Sequence, residues 1–205
     1  MSGSITVGGK TLASHDNGTG NLSLHNTVQF PAGHVIQVQT YTEYKVFAQT
    51  LDNDTETLGY GSTNFGVSIT PKQTGSKNFI HISFGSLRSG PGGGYALGFR
   101  IMRDSTSIKH NTGVETSASS GYPQLAFRGD AYHEAYNNAT TYTLLDETAN
   151  TKDVQVDYTL LAYRHSNQYS PVIIVNRMDF STATTTNMAA RDSSTTSHFT
   201  VMEIA

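Results

Sequence analysis

The sequence predicts an all-β body, on three observations. The chain closes on Ser197-His198-Phe199-Thr200-Val201-Met202-Glu203-Ile204-Ala205, where polar and apolar residues alternate. A period of two marks a strand with one buried face, and a terminus frays unless something ties it down, so this run is expected inside a sheet. The same alternation recurs from Val35 onward, with hardly a segment that carries a helical period. Hydrophobic residues make up 36% of the 205 and charged residues 14%, and much of the rest is Thr, Ser, Gly, Asn and Tyr. Thr and Tyr favour strands, while Gly, Asn and Ser favour turns.

Taken in order, residues 1–27 are turn-rich (Gly8-Gly9, Asp16-Asn17-Gly18-Thr19-Gly20), with short strand candidates at 4–7 and 22–24. So few apolar residues cannot build a core, and the segment is expected to be an extended arm ordered by a partner or a neighbouring subunit. Phe30-Pro31-Ala32-Gly33-His34 reads as a turn. A long strand starts at Val35, with Ile36, Val38, Tyr44 and Val46 on one face and Gln37, Gln39, Glu43 and Lys45 on the other. Residues 51–63 read as a polar loop, and 65–70 as a short strand ended by Pro71.

Segments 77–87 and 94–103 read as an antiparallel hairpin, with Ile80, Ile82 and Phe84 facing Tyr95, Leu97, Phe99 and Ile101. Gly98, mid-strand, suggests a bulge or a close backbone approach. After a loop over 110–122 come strands at 124–128, 141–145 and 153–164, the last with Val154, Val156, Tyr158, Leu160 and Ala162 inward. Strands at 172–176 and 197–205 complete the set. Strands joined by loops without helices predict a jelly-roll-like β-sandwich over 28–205, preceded by the arm 1–27.

A net charge of −3 and a pI near 6.2 leave no electrostatic footprint for nucleic acid. With zero Cys, disulfides and thiolate chemistry are excluded, and stability has to come from the core or from oligomerisation. No basic-plus-apolar segment resembles a signal peptide and no apolar run reaches membrane-spanning length. The expectation is a protein with neither membrane insertion nor export by host secretion machinery.

Reactive chemistry is weakly signalled. Eight His residues include no His-x-His or His-Glu-x-x-His pattern, and His133-Glu134 is an isolated pair. Asp52-Asn53-Asp54-Thr55-Glu56 offers hard oxygens but has Thr57 and Thr63 where a calcium loop needs Gly and Glu. Gly90-Pro91-Gly92-Gly93-Gly94 joins two strands and opens no helix, so it is a hairpin loop rather than a phosphate cradle. No Gly-x-Ser-x-Gly elbow is present. Tyr41, Tyr44, Tyr60, Tyr95, Tyr122, Tyr132, Tyr136 and Tyr142 suit an interface better than a sugar-stacking platform, since Tyr is enriched at interfaces and the chain has no Trp. No catalytic, cofactor-binding or metal-ligating residue is nominated, and no enzyme is expected.

Four runs resemble a domain of virion proteins from marine tailed phages, cyanophages included, described as tail-fibre or structural proteins. These are residues 26–38 (Asn-Thr-Val-Gln-Phe-Pro-Ala-Gly-His-Val-Ile-Gln-Val), Ile69-Thr70-Pro71-Lys72 with Ser76-Lys77, Arg100-Ile101-Met102-Arg103-Asp104, and Thr200-Val201-Met202-Glu203-Ile204-Ala205. The resemblance spans about 26–205 and marks strands and turns rather than an active site. It implies a virion structural protein, decorating or reinforcing the capsid through its arm, with phage capsid or tail proteins as partners. Viral jelly rolls further imply a homotrimer. A head-fibre or tail-fibre tip that binds a host receptor or glycan is the second expectation.

Overall fold

The computed structural model describes residues 3–7, 9–15, 22–24, 31–51, 55–60, 62–89, 96–108, 125–128, 138–164, 172–176 and 195–205. Among them there is no helix. The strands are β1 (Gly3–Val7), β2 (Lys10–His15), β3 (Leu22–Leu24), β4 (Val35–Glu43), β5 (Phe47–Thr50), β6 (Thr55–Thr57), β7 (Gly59–Tyr60), β8 (Thr63–Asn64), β9 (Gly66–Ile69), β10 (Lys77–Ser89), β11 (Ala96–Arg103), β12 (Thr106–Ser107), β13 (Leu125–Arg128), β14 (Asn138–Asp146), β15 (Val156–Arg164), β16 (Val172–Val175) and β17 (Ser197–Ile204).

The strands of the body form two sheets, and in each the pairings line them up into four columns. Sheet I runs β4/β5, β17/β16, β10, β14. Sheet II runs β9/β6, β15, β11, then β12 and β13. In chain order the first column pairs with the eighth, the second with the seventh, the third with the sixth and the fourth with the fifth. That is one long antiparallel hairpin rolled across two sheets, the order of a jelly roll. Strand alternation then supplies the core from both inner faces.

Phe65 stacks on Phe84 with centroids 5.3 Å apart, Phe84 meets Phe99 at 5.7 Å, and Phe65 lies 5.9 Å from Phe199. Ile80, Ile82, Val201, Ile101, Leu160 and Val175 close around these rings, all buried. Offset and tilted ring pairs are the favourable geometry for aromatic quadrupoles.

Several expectations change at this level. β10 and β11 are not a hairpin, because β10 is flanked by β17, β16 and β14, and β11 by β15, β13 and β12. Phe84 and Phe99 therefore meet across the sandwich rather than across a ladder. The register of β11 also runs unbroken through Gly98, with no bulge.

On β4 the face in phase with the inward residues of β17 is the one that reads as polar, although Gln39 on it stays exposed. Register places Gln37, Gln39, Tyr41 and Glu43 opposite Glu203, Val201, Phe199 and Ser197, the inward set of β17. Val38 is consequently 49% exposed and Tyr44 71% exposed, and the strand breaks at 44–46 before β5. Val154 lies outside β15 and is exposed, while Val156, Tyr158, Leu160 and Ala162 point inward as expected.

Segment 51–63 is more than a loop. Leu51 and Leu58 are fully buried, and β6 carries sheet II up to a β7–β8 hairpin inserted between it and β9. β9 then lies close against β15: a Cβ on Gly66 would sit 2.2 Å from the Tyr158 carbonyl oxygen.

Both strand candidates of segment 1–27 are present, within β1 and as β3, and β2 between them completes a three-stranded sheet. β1 and β2 pair down to Val7 opposite Lys10, and Gly9 before Lys10 takes φ 76°. At the other end, Gly33 N–H donates to the Ala205 carbonyl and Ala205 N–H to that of His34, each at 2.9 Å. The Pro31–Gly33 turn thus holds the terminal strand.

Candidate functional site

The inward faces of five strands carry polar residues in phase with the core, all gathered at one end of the sandwich. Glu203 follows Phe199 and Val201 on β17, Asn78 precedes Ile80 and Ile82 on β10, and Asp146 follows Leu144 on β14. Arg103 follows Phe99 and Ile101 on β11, and Tyr158 sits between Val156 and Leu160 on β15. Burying such groups is costly unless every one is hydrogen-bonded.

They are. Glu203, fully buried, accepts from the backbone N–H of Lys72 (2.9 Å to Oε2) and Gln73 (3.0 Å to Oε1). It also accepts from Ser76 Oγ at 2.7 Å and Gln37 Nε2 at 2.7 Å. The loop after Pro71 is wrapped around this carboxylate. Ser76 Oγ in turn accepts from Asn150 Nδ2 at 3.1 Å, and Asn150 and Asn78 exchange a reciprocal pair of amide hydrogen bonds at 3.1 Å. Asn78 Nδ2 also reaches Tyr158 Oη at 2.8 Å.

Tyr158 Oη donates to Asp146 Oδ2 at 2.7 Å, and Arg103 Nη1 bridges the same oxygen at 2.6 Å while its Nη2 donates to Asn150 Oδ1 at 3.0 Å. Thr148 N–H covers Asp146 Oδ1 at 3.0 Å. Burial alone would raise the Asp146 pKa. The hydrogen bonds from Tyr158, from Thr148 N–H and from Arg103 outweigh it and hold the carboxyl below its ordinary value. Tyr158 moves upward, through burial and then through its bond to the Asp146 carboxylate.

A second knot lies where the β17/β16 column is interrupted. Asn176, at φ 64°, donates from Nδ2 to the carbonyls of Glu43 (2.8 Å) and Lys45 (3.2 Å) and accepts from Ser197 Oγ. Thr195 N–H donates to the Asn176 carbonyl at 3.2 Å, so these two positions lie side by side. Gly85 lets the returning chain pass, because a Cβ there would lie 2.6 Å from Thr195. Glu43 accepts from Tyr41 Oη at 2.7 Å and from Lys45 N–H at 2.9 Å. Burial first, then the bond to Glu43 and its charge, push Tyr41 up to about 12.

The arrangement acts as a set of staples. Both Asp146 and Glu203 spend their lone pairs on protein donors, and no nucleophile stands beside a free base in either knot. No group of three or more His, Cys, Asp or Glu able to hold a metal occurs among the described residues.

Of the positions singled out from sequence, Asp52 to Asp54, Gly90 to Gly94, His133-Glu134, Tyr95, Tyr122, Tyr132 and Tyr136 lie outside the described residues. Tyr41, expected at an interface or on the surface, instead turns inward and meets Phe65 edge-on, 5.7 Å away at 87°. The polar knots themselves were not anticipated. Their legible signal is a polar residue falling in phase with a buried apolar run.

No protein-family model matches the chain, and no curated protein does. Among solved structures, a chain of T=1 particles derived from infectious bursal virus is 12% identical, with 89% of this chain and 43% of that one covered and a TM-score of 0.21. The VP2 subviral particle of infectious bursal disease virus is 12% identical, with 83% and 42% covered and a TM-score of 0.16. The chain spans less than half the length of either. Both come from viral particles, and TM-scores this low carry no weight for fold or function.

Proposed function

We propose that the chain is a non-enzymatic structural protein of a tailed-phage virion, decorating or reinforcing the capsid surface through residues 1–27. The observation that carries the reading is a jelly-roll body whose buried Asp146 and Glu203 carboxylates, with the Arg103 guanidinium, are consumed in holding one end shut. Such a body offers a rigid block rather than a reaction centre. The four sequence runs that resemble phage virion proteins supply the particle and its capsid or tail partners. The homotrimer is carried over from the way viral jelly rolls usually assemble.

The second reading is a head-fibre or tail-fibre tip that contacts a host receptor or glycan. Tyr44, 71% exposed at the bend between β4 and β5, favours it, since an exposed aromatic ring offers a stacking face.

The test is location. Immunogold labelling or density mapping of purified particles is expected to place the protein on the capsid lattice, and deletion of 1–27 is expected to abolish incorporation while the sandwich stays folded. Density on the tail, with adsorption lost on Tyr44→Ala, would favour the fibre tip. Absence from purified particles would overturn both.

A further inference from the structure

One inward row of sheet I is polar from end to end: Gln37, Glu203, Asn78 and Asp146, read across β4, β17, β10 and β14. Two loops are tied to it, 70–76 between β9 and β10 and 147–155 between β14 and β15. Of their residues only Pro71, Ser76 and Asn150 are buried. Apolar burial therefore does little to hold the loops, whereas the core around Phe65, Phe84, Phe99 and Phe199 rests on it.

Hydrogen bonds hold the loops instead, and Asn150 is their meeting point. Its N–H donates to the Ser76 carbonyl and its carbonyl accepts from Gly75 N–H, each at 2.9 Å. Its side-chain amide engages Ser76 Oγ, the Asn78 amide and Arg103 Nη2. Further along, Lys152 N–H reaches Thr74 Oγ1 at 3.3 Å and Asp153 N–H the Pro71 carbonyl at 2.9 Å. The loops are thus zipped to each other. Each is also anchored through backbone N–H groups on a strand carboxylate, Lys72 and Gln73 on Glu203 and Thr148 on Asp146.

From this contrast we infer that the two loops form one strap, which opens as a unit short of global unfolding, with Asn150 as its lock and Glu203 and Asp146 as acid-sensitive anchors. An ionised carboxylate only accepts hydrogen bonds, so a proton on it puts an O–H where an N–H donor stands. The donors on Glu203 are uncharged: Gln37 from β4, Ser76 and the two loop amides. Facing Asp146 are Arg103 from β11 and Tyr158 from β15, and Asn78 of β10 lies between the two carboxylates. The strap itself carries Lys72, Glu147, Lys152 and Asp153. Folding lowers the Asp146 pKa, so its hold is complete above the ordinary carboxylate value and is lost as pH falls below it. The inference does not rest on the virion reading.

Amide hydrogen exchange of the full-length protein, followed by NMR, tests the strap. The amides of Lys72, Gln73, Gly75, Thr148, Asn150 and Asp153 are expected to share one protection factor, at least about tenfold below that of Ile82 and Val201 in the central strands. Between about pH 6 and about pH 3, after correction for intrinsic exchange, that gap is expected to widen by about tenfold or more. Asn150→Ala is expected to give the same joint loss near pH 6 while near-ultraviolet circular dichroism is kept. Loop amides that exchange at unrelated rates, that open only together with Ile82, or whose gap from Ile82 is indifferent to acid would each overturn the proposal. Should the alanine variant fail to fold, the acid series on the parent protein decides alone.

Discussion

Glu203 shows how a polar residue earns a core position. It shares a face with Phe199 and Val201, yet it is fully buried because backbone N–H groups, a hydroxyl and an amide converge on it. Glu203→Gln sets an amide donor against N–H donors and should destabilise the fold by about 3 kcal/mol, the scale of buried groups left unsatisfied. Thermal unfolding should then shift down by about 6–12 °C. Asp146 adds a pH dependence. Its pKa is held below the ordinary value in the folded protein, so the unfolded chain takes up the proton first as pH falls. The stability it contributes is present above about pH 4 and is lost progressively below it. Urea unfolding of Asp146→Asn between pH 2 and 6 should show a shallower acid limb than the parent, over and above its lower stability near pH 6. Tyr41 works at the alkaline end, where its pKa is raised from 10.0 to about 12. Its contribution is complete below pH 10 and is lost as pH rises through about 12, so Tyr41→Phe should flatten that limb. Tyr142 is the contrasting case, a buried hydroxyl with no hydrogen-bond partner among the described residues. Tyr142→Phe removes that unmet group and should leave stability unchanged or raise it by up to about 1 kcal/mol.

Among the elements, β10 is flanked on both sides by β14, β17 and β16, and Phe84 from it touches both Phe65 and Phe99. Phe84→Ala opens a cavity between the sheets and should cost about 3–5 kcal/mol by chemical denaturation, whereas Val154→Ala, at an exposed position outside β15, should cost less than about 0.5 kcal/mol. Alternation made β15 and β17 readable from sequence, because each has one apolar face and one polar face. It misled on β4, where the apolar residues Ile36 and Val38 are in phase with Thr40 and Thr42 while the inward set is Gln37, Gln39, Tyr41 and Glu43. The choice of face there is made by the partner strand, whose Glu203 and Ser197 need polar company, and by Phe65 packing on Tyr41. Nothing local to 35–43 encodes either requirement. The β10–β11 pairing failed for a related reason, since adjacency in sequence favours a hairpin and only the full set of strand pairings shows both edges of each already occupied. The polar knots were partly readable, through Asn78, Asp146 and Arg103 falling in phase with core residues. Their partners in loops, Ser76 and Asn150, carry no periodic signal at all.

For the whole molecule, the rolled-hairpin order makes the last column a neighbour of the first. β17 lies between β4 and β10, and its end is fastened to the Pro31–Gly33 turn. Removing it would expose the edges of both neighbours, strip Phe199 and Val201 from the core and leave the N–H groups of Lys72 and Gln73 without the Glu203 carboxylate. Truncation before Ser197 should therefore abolish cooperative unfolding and near-ultraviolet circular dichroism altogether. Deletion of 1–27 should retain both, because β1, β2 and β3 pair only with one another among the described residues. The same order sets the folding rate. The first and eighth columns must meet before sheet I is complete, and closing so long a loop costs entropy before any contact repays it. Refolding from urea should accordingly take milliseconds to seconds or longer, as in other sandwiches dominated by non-local pairing. Because β17 joins those columns, Val201→Ala should slow refolding if they form in the transition state, and should mainly speed unfolding if the pairing of β10 with β14 comes first. Stopped-flow fluorescence of the tyrosines distinguishes the two. A microsecond refolding phase carrying the full amplitude would contradict the rolled-hairpin account.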